Sequence, residues 1–195
     1  MLVSNTWMGF VADDLPSRTA PINVMRRLVC LSLLAAVFAL GTDKVFAQTD
    51  GPDARFDDDL ISKLEGTWDL TRTIRGTVVR NTVSANWVLN HQFLSVHMKD
   101  VNEPSEYEAI VLIGYVHATR KYVAHWTDTY GGAYSAVGTG ERKGNSIEFR
   151  FEYPDGPFFN TFTWASDTKQ WTFRGESLDA SGQRKLFLLD TFTSK

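Results

Sequence analysis

The chain has 195 residues, a formal net charge of −3 and a single cysteine, Cys30. A mildly acidic sequence without a basic block argues against nucleic acid as a partner. One thiol excludes a disulfide framework and a Cys-ligated metal site.

Residues 1–24 carry Asp13, Asp14 and two prolines with no apolar period, and read as an extension upstream of the true start at Met25. Residues 25–47 have the anatomy of a secretory signal peptide. Met25-Arg26-Arg27 supplies the positive end, residues 28–40 an uncharged apolar run, and Val45 and Ala47 the small residues before a cut at Gln48. A membrane anchor would need roughly 20 apolar residues, and Asp43-Lys44 closes this run short of that. No cysteine follows the run to take a lipid. The expectation is a periplasmic or secreted protein with no anchor after cleavage. Its mature part would have no thiol and a charge of −4, from 16 Lys+Arg against 20 Asp+Glu.

Residues 48–55 are polar and turn-rich, a flexible leader, and residues 56–195 form one domain. Residues 56–64 predict the one short helix, with Asp57, Asp58 and Asp59 in its first turn and Phe56, Leu60, Ile61 and Leu64 on one stripe. Gly66 ends it, and the hydrophobic period then changes from 3.6 to 2. Ten strand-like runs follow, at 67–75, 83–89, 92–100, 106–116, 121–128, 133–139, 146–153, 157–165, 170–177 and 184–193.

Several connectors are short, so sequence neighbours pair antiparallel, and none has room for a crossover helix. Ten hairpin-linked strands leave two exposed edges unless the sheet closes. The fold class expected is therefore all-β, an antiparallel up-and-down barrel of about ten strands, with a filled sandwich as the competitor. Alternation puts Phe149 and Phe151 on one face and Glu148, Arg150 and Glu152 on the other. Phe158, Asn160, Phe162 and Trp164 share a face, as do Val83, Ala85, Trp87 and Leu89. With hairpins centred near Glu103 and Thr119, His125 faces Ile113 and Ile113 faces Phe93. That register sets Tyr122, Ala124, Trp126 and Asp128 beside Ile110, Leu112 and Gly114.

Gly66-Thr67-Trp68, Val88-Leu89-Asn90-His91-Gln92-Phe93-Leu94, Gly114-Tyr115 and Trp126-Thr127-Asp128 occur in an order that resembles a family of bacterial lipocalin-like (calycin-type) barrel domains of uncharacterised function. The resemblance spans roughly residues 64–195. Asn90-His91-Gln92 replaces the family's usual Gly-Gly-Arg, and Val116 replaces its usual Asp. The resemblance implies a barrel with an internal cavity, and it brings no established activity with it. In such barrels a Trp at the position of Trp68 plugs the floor, which is preferred here to a ligand platform.

His91, His97, His117 and His125 show no His-x-His or His-x-x-x-His spacing, so no metal site is expected. No cofactor is expected either; haem, which needs one axial histidine, is the residual option. Asp128 is either a buried acid or base at the barrel mouth or a carboxylate closing its strand by bonding turn amides. No Gly-x-Ser-x-Gly elbow or phosphate-cradling loop is present.

These residues point to a barrel holding a small apolar or aromatic molecule. Trp87, Trp126, Phe151, Phe162, Trp164 and Phe173 are the candidate wall, with Asp128, His97 and Tyr134 as polar handles. The same three handles are the weak catalytic candidates for a cofactor-free isomerase, lyase or cyclase, in which Tyr115 or Tyr134 would donate the proton. A purely structural barrel filled by its own aromatics is the third reading.

Overall fold

A computed structural model describes residues 55–195. The expected upstream extension, signal peptide and leader, Arg55 apart, lie outside the described residues, as does Cys30.

The strands are β1 (Gly66–Ile74), β2 (Thr77–Val88), β3 (Phe93–Asp100), β4 (Glu108–Val116), β5 (Lys121–Asp128), β6 (Ala136–Lys143), β7 (Ser146–Tyr153), β8 (Gly156–Ala165), β9 (Gln170–Leu178) and β10 (Arg184–Ser194). Each pairs antiparallel with the next, and β1 pairs with β10 to close an up-and-down barrel. Closure leaves no free strand edge, the outcome that ten hairpin-linked strands require.

β5 and β7 match their expected limits residue for residue. β6 starts later than the expected residue 133 because a 3-10 turn at Gly132–Tyr134, entered through Gly131 at φ 80°, takes up the first two positions of that run. Leu89 does not continue the inward row of β2. It has φ 50°, belongs to the turn, and is 64% exposed.

The helix expected over 56–64 is reduced to one 3-10 turn, Ile61–Leu64. The Asp58 carboxylate accepts the Leu60 and Ile61 amides at 2.9 and 2.8 Å, so helical structure cannot extend back through it. The Phe56 amide donates instead to the His91 carbonyl at 3.0 Å. Phe56, Leu60, Ile61 and Leu64 are all buried nonetheless, because the segment plugs one end of the barrel. Burying four such side chains contributes about 1.5–3 kcal/mol each before entropy is counted.

The plug is latched from the barrel side. Trp68 Nε1 donates to the Leu64 carbonyl at 2.8 Å, and Trp171 Nε1 donates to the Lys63 carbonyl at 3.1 Å. The Tyr122 hydroxyl donates to Asp58 Oδ2 at 2.5 Å, and Arg142 spans both oxygens of Asp59 at 2.5 and 3.2 Å. Phe56 stacks on Tyr115, with ring centres 5.6 Å apart. Trp68 is thus a floor residue whose polar edge is fully used.

Two hairpins are offset by one residue from the expected register. His125 pairs with Leu112, Trp126 with Val111 and Phe93 with Gly114. The connection between Val116 and Lys121 holds an even number of residues, so its centre falls between Ala118 and Thr119. A one-residue slip moves a whole neighbour set to the other face. Trp126 therefore lies among Ala109, Val111 and Ile113, and not among Ile110, Leu112 and Gly114.

Candidate functional site

The end opposite the plug carries the β1–β2, β3–β4, β5–β6, β7–β8 and β9–β10 connections. Its rim is aromatic. Tyr107 and Tyr153 are half-buried, and Tyr130 and Tyr134 are exposed. Neighbouring rings touch around it, Tyr107 with Tyr130, Tyr130 with Tyr134 and Tyr134 with Tyr153, each pair 6.2 Å between centres.

Asp100 seats the first of these tyrosines. Its carboxylate accepts the Asn102, Glu106 and Tyr107 amides at 3.0, 2.6 and 2.6 Å, folding the β3–β4 loop back over the mouth. Burial opposes the Asp100 charge, but the Tyr107, Asn102 and Glu106 amides outweigh it and hold the carboxyl below its ordinary value. The Tyr107 ring consequently lies 4.9 Å from the Arg72 guanidinium. Burial pushes the Tyr107 phenol up to about 12, and burial with the nearby Asp128 carboxylate pushes Tyr153 to about 12. Both therefore stay neutral hydrogen-bond donors at any physiological pH.

Beneath the rim lies a buried polar layer. Arg72 and Asp190 face inward on adjacent strands, 5% and 0% exposed. Arg72 Nε donates to Asp190 Oδ1 at 3.0 Å and Nη2 to Oδ2 at 2.7 Å, a two-pronged pair. Burial works against the Arg72 charge, and the Asp190 carboxylate overcomes it, so the guanidinium is held above its ordinary value. Asn81 on β2 and Asn160 on β8 also face inward and are buried. Asn81 Nδ2 and Asn160 Oδ1 have no hydrogen-bond partner among the described residues.

The expected wall residues separate into two groups. Trp126, Phe151, Phe162 and Phe173 meet inside the barrel. Trp126 stacks on Phe173 at 5.7 Å and meets Phe151 edge-on at 6.1 Å, while Phe162 lies 4.6 Å from Phe173. All four are buried, so they pack on one another. Trp87 and Trp164 are half-buried at the plugged end. Trp87 stacks on His91 at 3.9 Å, and Trp164 lies 5.5 Å from Trp171. Two hollows lie away from this aromatic group, among outer-wall side chains such as Lys121, Glu141, Glu148 and Arg150.

The polar handles separate too. Asp128 and Tyr134 are at the mouth. Asp128 Oδ2 accepts from Trp126 Nε1 at 3.1 Å and Oδ1 from the Tyr130 amide at 3.0 Å, so the carboxylate closes its strand and fixes the indole. His97 is on the outer wall, because Val96 and Met98 on either side of it point inward. Its Nε2 pairs with Glu108 Oε1 at 2.6 Å, away from the interior. No group of three potential metal ligands occurs among the described residues, and no described helix is long and apolar enough to cross a membrane.

Arg72, Asp190, Asn81 and Tyr107 were not singled out in the sequence. The available signal was parity: Arg72 continues the Trp68–Leu70 row, and Asp190 falls between Leu188 and Phe192 on another. A charge on an inward row is the mark of a buried site.

No known protein family and no curated protein matches the chain. The class rests on geometry: a closed ten-stranded antiparallel barrel, consistent with a lipocalin-like one.

Proposed function

We propose that the protein is a periplasmic or secreted lipocalin-like barrel that holds a small, largely apolar molecule at its mouth. One observation carries this reading, the inequality of the two ends. At the plugged end the indoles of Trp68 and Trp171 and the Tyr122 hydroxyl all have partners. At the mouth a tyrosine rim stands over an ion pair and two buried amide atoms without partners among the described residues. A finished core leaves few such atoms; binding sites are where they collect. The packing favours a ligand resting against Tyr153 and the other rim tyrosines, since Trp126, Phe162 and Phe173 already pack on one another deeper in.

A second reading is favoured by the same packing: a structural barrel filled by its own rings, with water satisfying the polar layer. The enzyme reading draws less support, because both oxygens of Asp128 are engaged.

Titration with Nile red, a neutral apolar fluorophore, tests the binding reading. A mouth site gives saturable, stoichiometric enhancement of emission that Tyr153→Lys weakens and Leu89→Lys, at the plugged end, leaves alone. No enhancement, or equal loss in both variants, contradicts it.

A further inference from the structure

We propose that the buried polar layer recognises an uncharged hydrogen-bonding group, of the amide, lactam or urea class, carried on that apolar molecule. The inference rests on the binding reading above and adds the chemistry of the group recognised.

The first argument is charge balance. Arg72 and Asp190 face each other through three contacts at 2.7–3.1 Å, which occupy both carboxylate oxygens. Beyond Asp190, the guanidinium has the Tyr107 ring at 4.9 Å, an interaction with the Tyr107 hydroxyl, and Met98 Sδ at 4.0 Å. An incoming carboxylate would compete with Asp190 for one arginine and leave a buried excess of negative charge. An incoming cation would compete with Arg72 and leave the opposite excess. Either excess is far more costly in a desolvated site than a neutral guest. The layer is balanced, so it discriminates against ions of both signs.

The second argument is unfilled valence. Asn81 Nδ2 is a donor without an acceptor, and Asn160 Oδ1 an acceptor without a donor, in side chains 2% and 3% exposed. Each is the fifth residue after a two-residue turn at the mouth end, Arg75-Gly76 for Asn81 and Pro154-Asp155 for Asn160. They flank the ion pair. Asn81 is on β2, next to the strand of Arg72, and Asn160 is on β8, two strands beyond Asp190. A guest offering both a carbonyl and an N–H can meet the vacant valence of either amide, where a hydrocarbon leaves both unmet. The neutral phenols of Tyr107 and Tyr153 above the layer add donors and no charge.

The test uses the full secreted chain and three aromatic probes of similar size: phenylacetamide, phenylacetate and ethylbenzene. Binding is measured by calorimetry in the native protein and in Asn81→Leu and Asn160→Leu. Leucine removes the partnerless polar atoms at similar volume, so these variants are expected to fold at least as well. Phenylacetamide is expected to bind about tenfold or more tightly than the other two, and each Leu variant to lose about that factor for the amide alone. Preference for phenylacetate, or amide binding unchanged in both variants, overturns the recognition chemistry and leaves the binding reading standing. Binding of none of the three overturns both. Asn81 and Asn160 side-chain NMR signals that exchange with water and do not move with phenylacetamide assign the layer to buried water, which also overturns the proposal.

Discussion

Arg72 and Asp190 are joined across 118 residues of sequence, so no local spacing could have paired them. The pair takes two charges out of water, and its net worth is the difference between a large attraction and a large desolvation cost. Breaking it from one side is therefore the informative change. Asp190→Leu should cost about 3–5 kcal/mol in urea denaturation by stranding the guanidinium, and Arg72→Met with Asp190→Leu should regain most of that loss. A double variant as unstable as the single one would show that the site is shaped by more than the pair. Trp126 and Asp128, by contrast, were legible as a unit. They are two apart on one strand, and a strand of period 2 must bring them to the same face. What the sequence left open was the use of Asp128, because turn closure and acid–base chemistry call for the same residue at the same place.

The strands were legible because alternation is a property of each run by itself. Their register was not, because it depends on where a loop centres, and one residue reverses the faces of neighbours. β6 shows what pairing adds. Gly138 and Gly140 have a steric role there. They face inward with Ala136, and a Cβ would stand 2.7 Å from the Phe151 ring at Gly138 and 2.6 Å from the Phe149 ring at Gly140. The small row on β6 is the bed for the large row on β7. Gly114 does the same for Phe93, where a Cβ would lie 2.6 Å from the ring, which explains two of the short motifs as one contact. Gly140→Ala should destabilise by about 1–3 kcal/mol through overpacking. Adding Phe149→Leu should make the alanine nearly neutral in a double-mutant cycle. Additive losses would mean that the glycine is needed for its backbone and not for the ring.

Taken whole, the molecule is a barrel with unlike ends. Its outer wall is charged and tied across strands. Arg184 reaches Glu148 at 2.6 Å and Glu176 at 3.6 Å while lying 3.9 Å over Phe159, which is why an outward phenylalanine is buried. One end is shut by the Phe56–Leu64 segment through the Trp68 and Trp171 indoles. The other presents tyrosines over a balanced, partly unsatisfied polar layer. Closure was legible from strand number and short connectors alone. The polar layer was not, because it is assembled from β1, β2, β8 and β10 and exists only once the barrel is closed. That the mouth holds a small molecule is tested most directly by native mass spectrometry of protein isolated from the compartment where it is made and never denatured. A ligand-holding barrel shows a constant small-molecule increment over the chain mass that disappears on denaturation. Identical native and denatured masses, with no species retaining an increment, would contradict it.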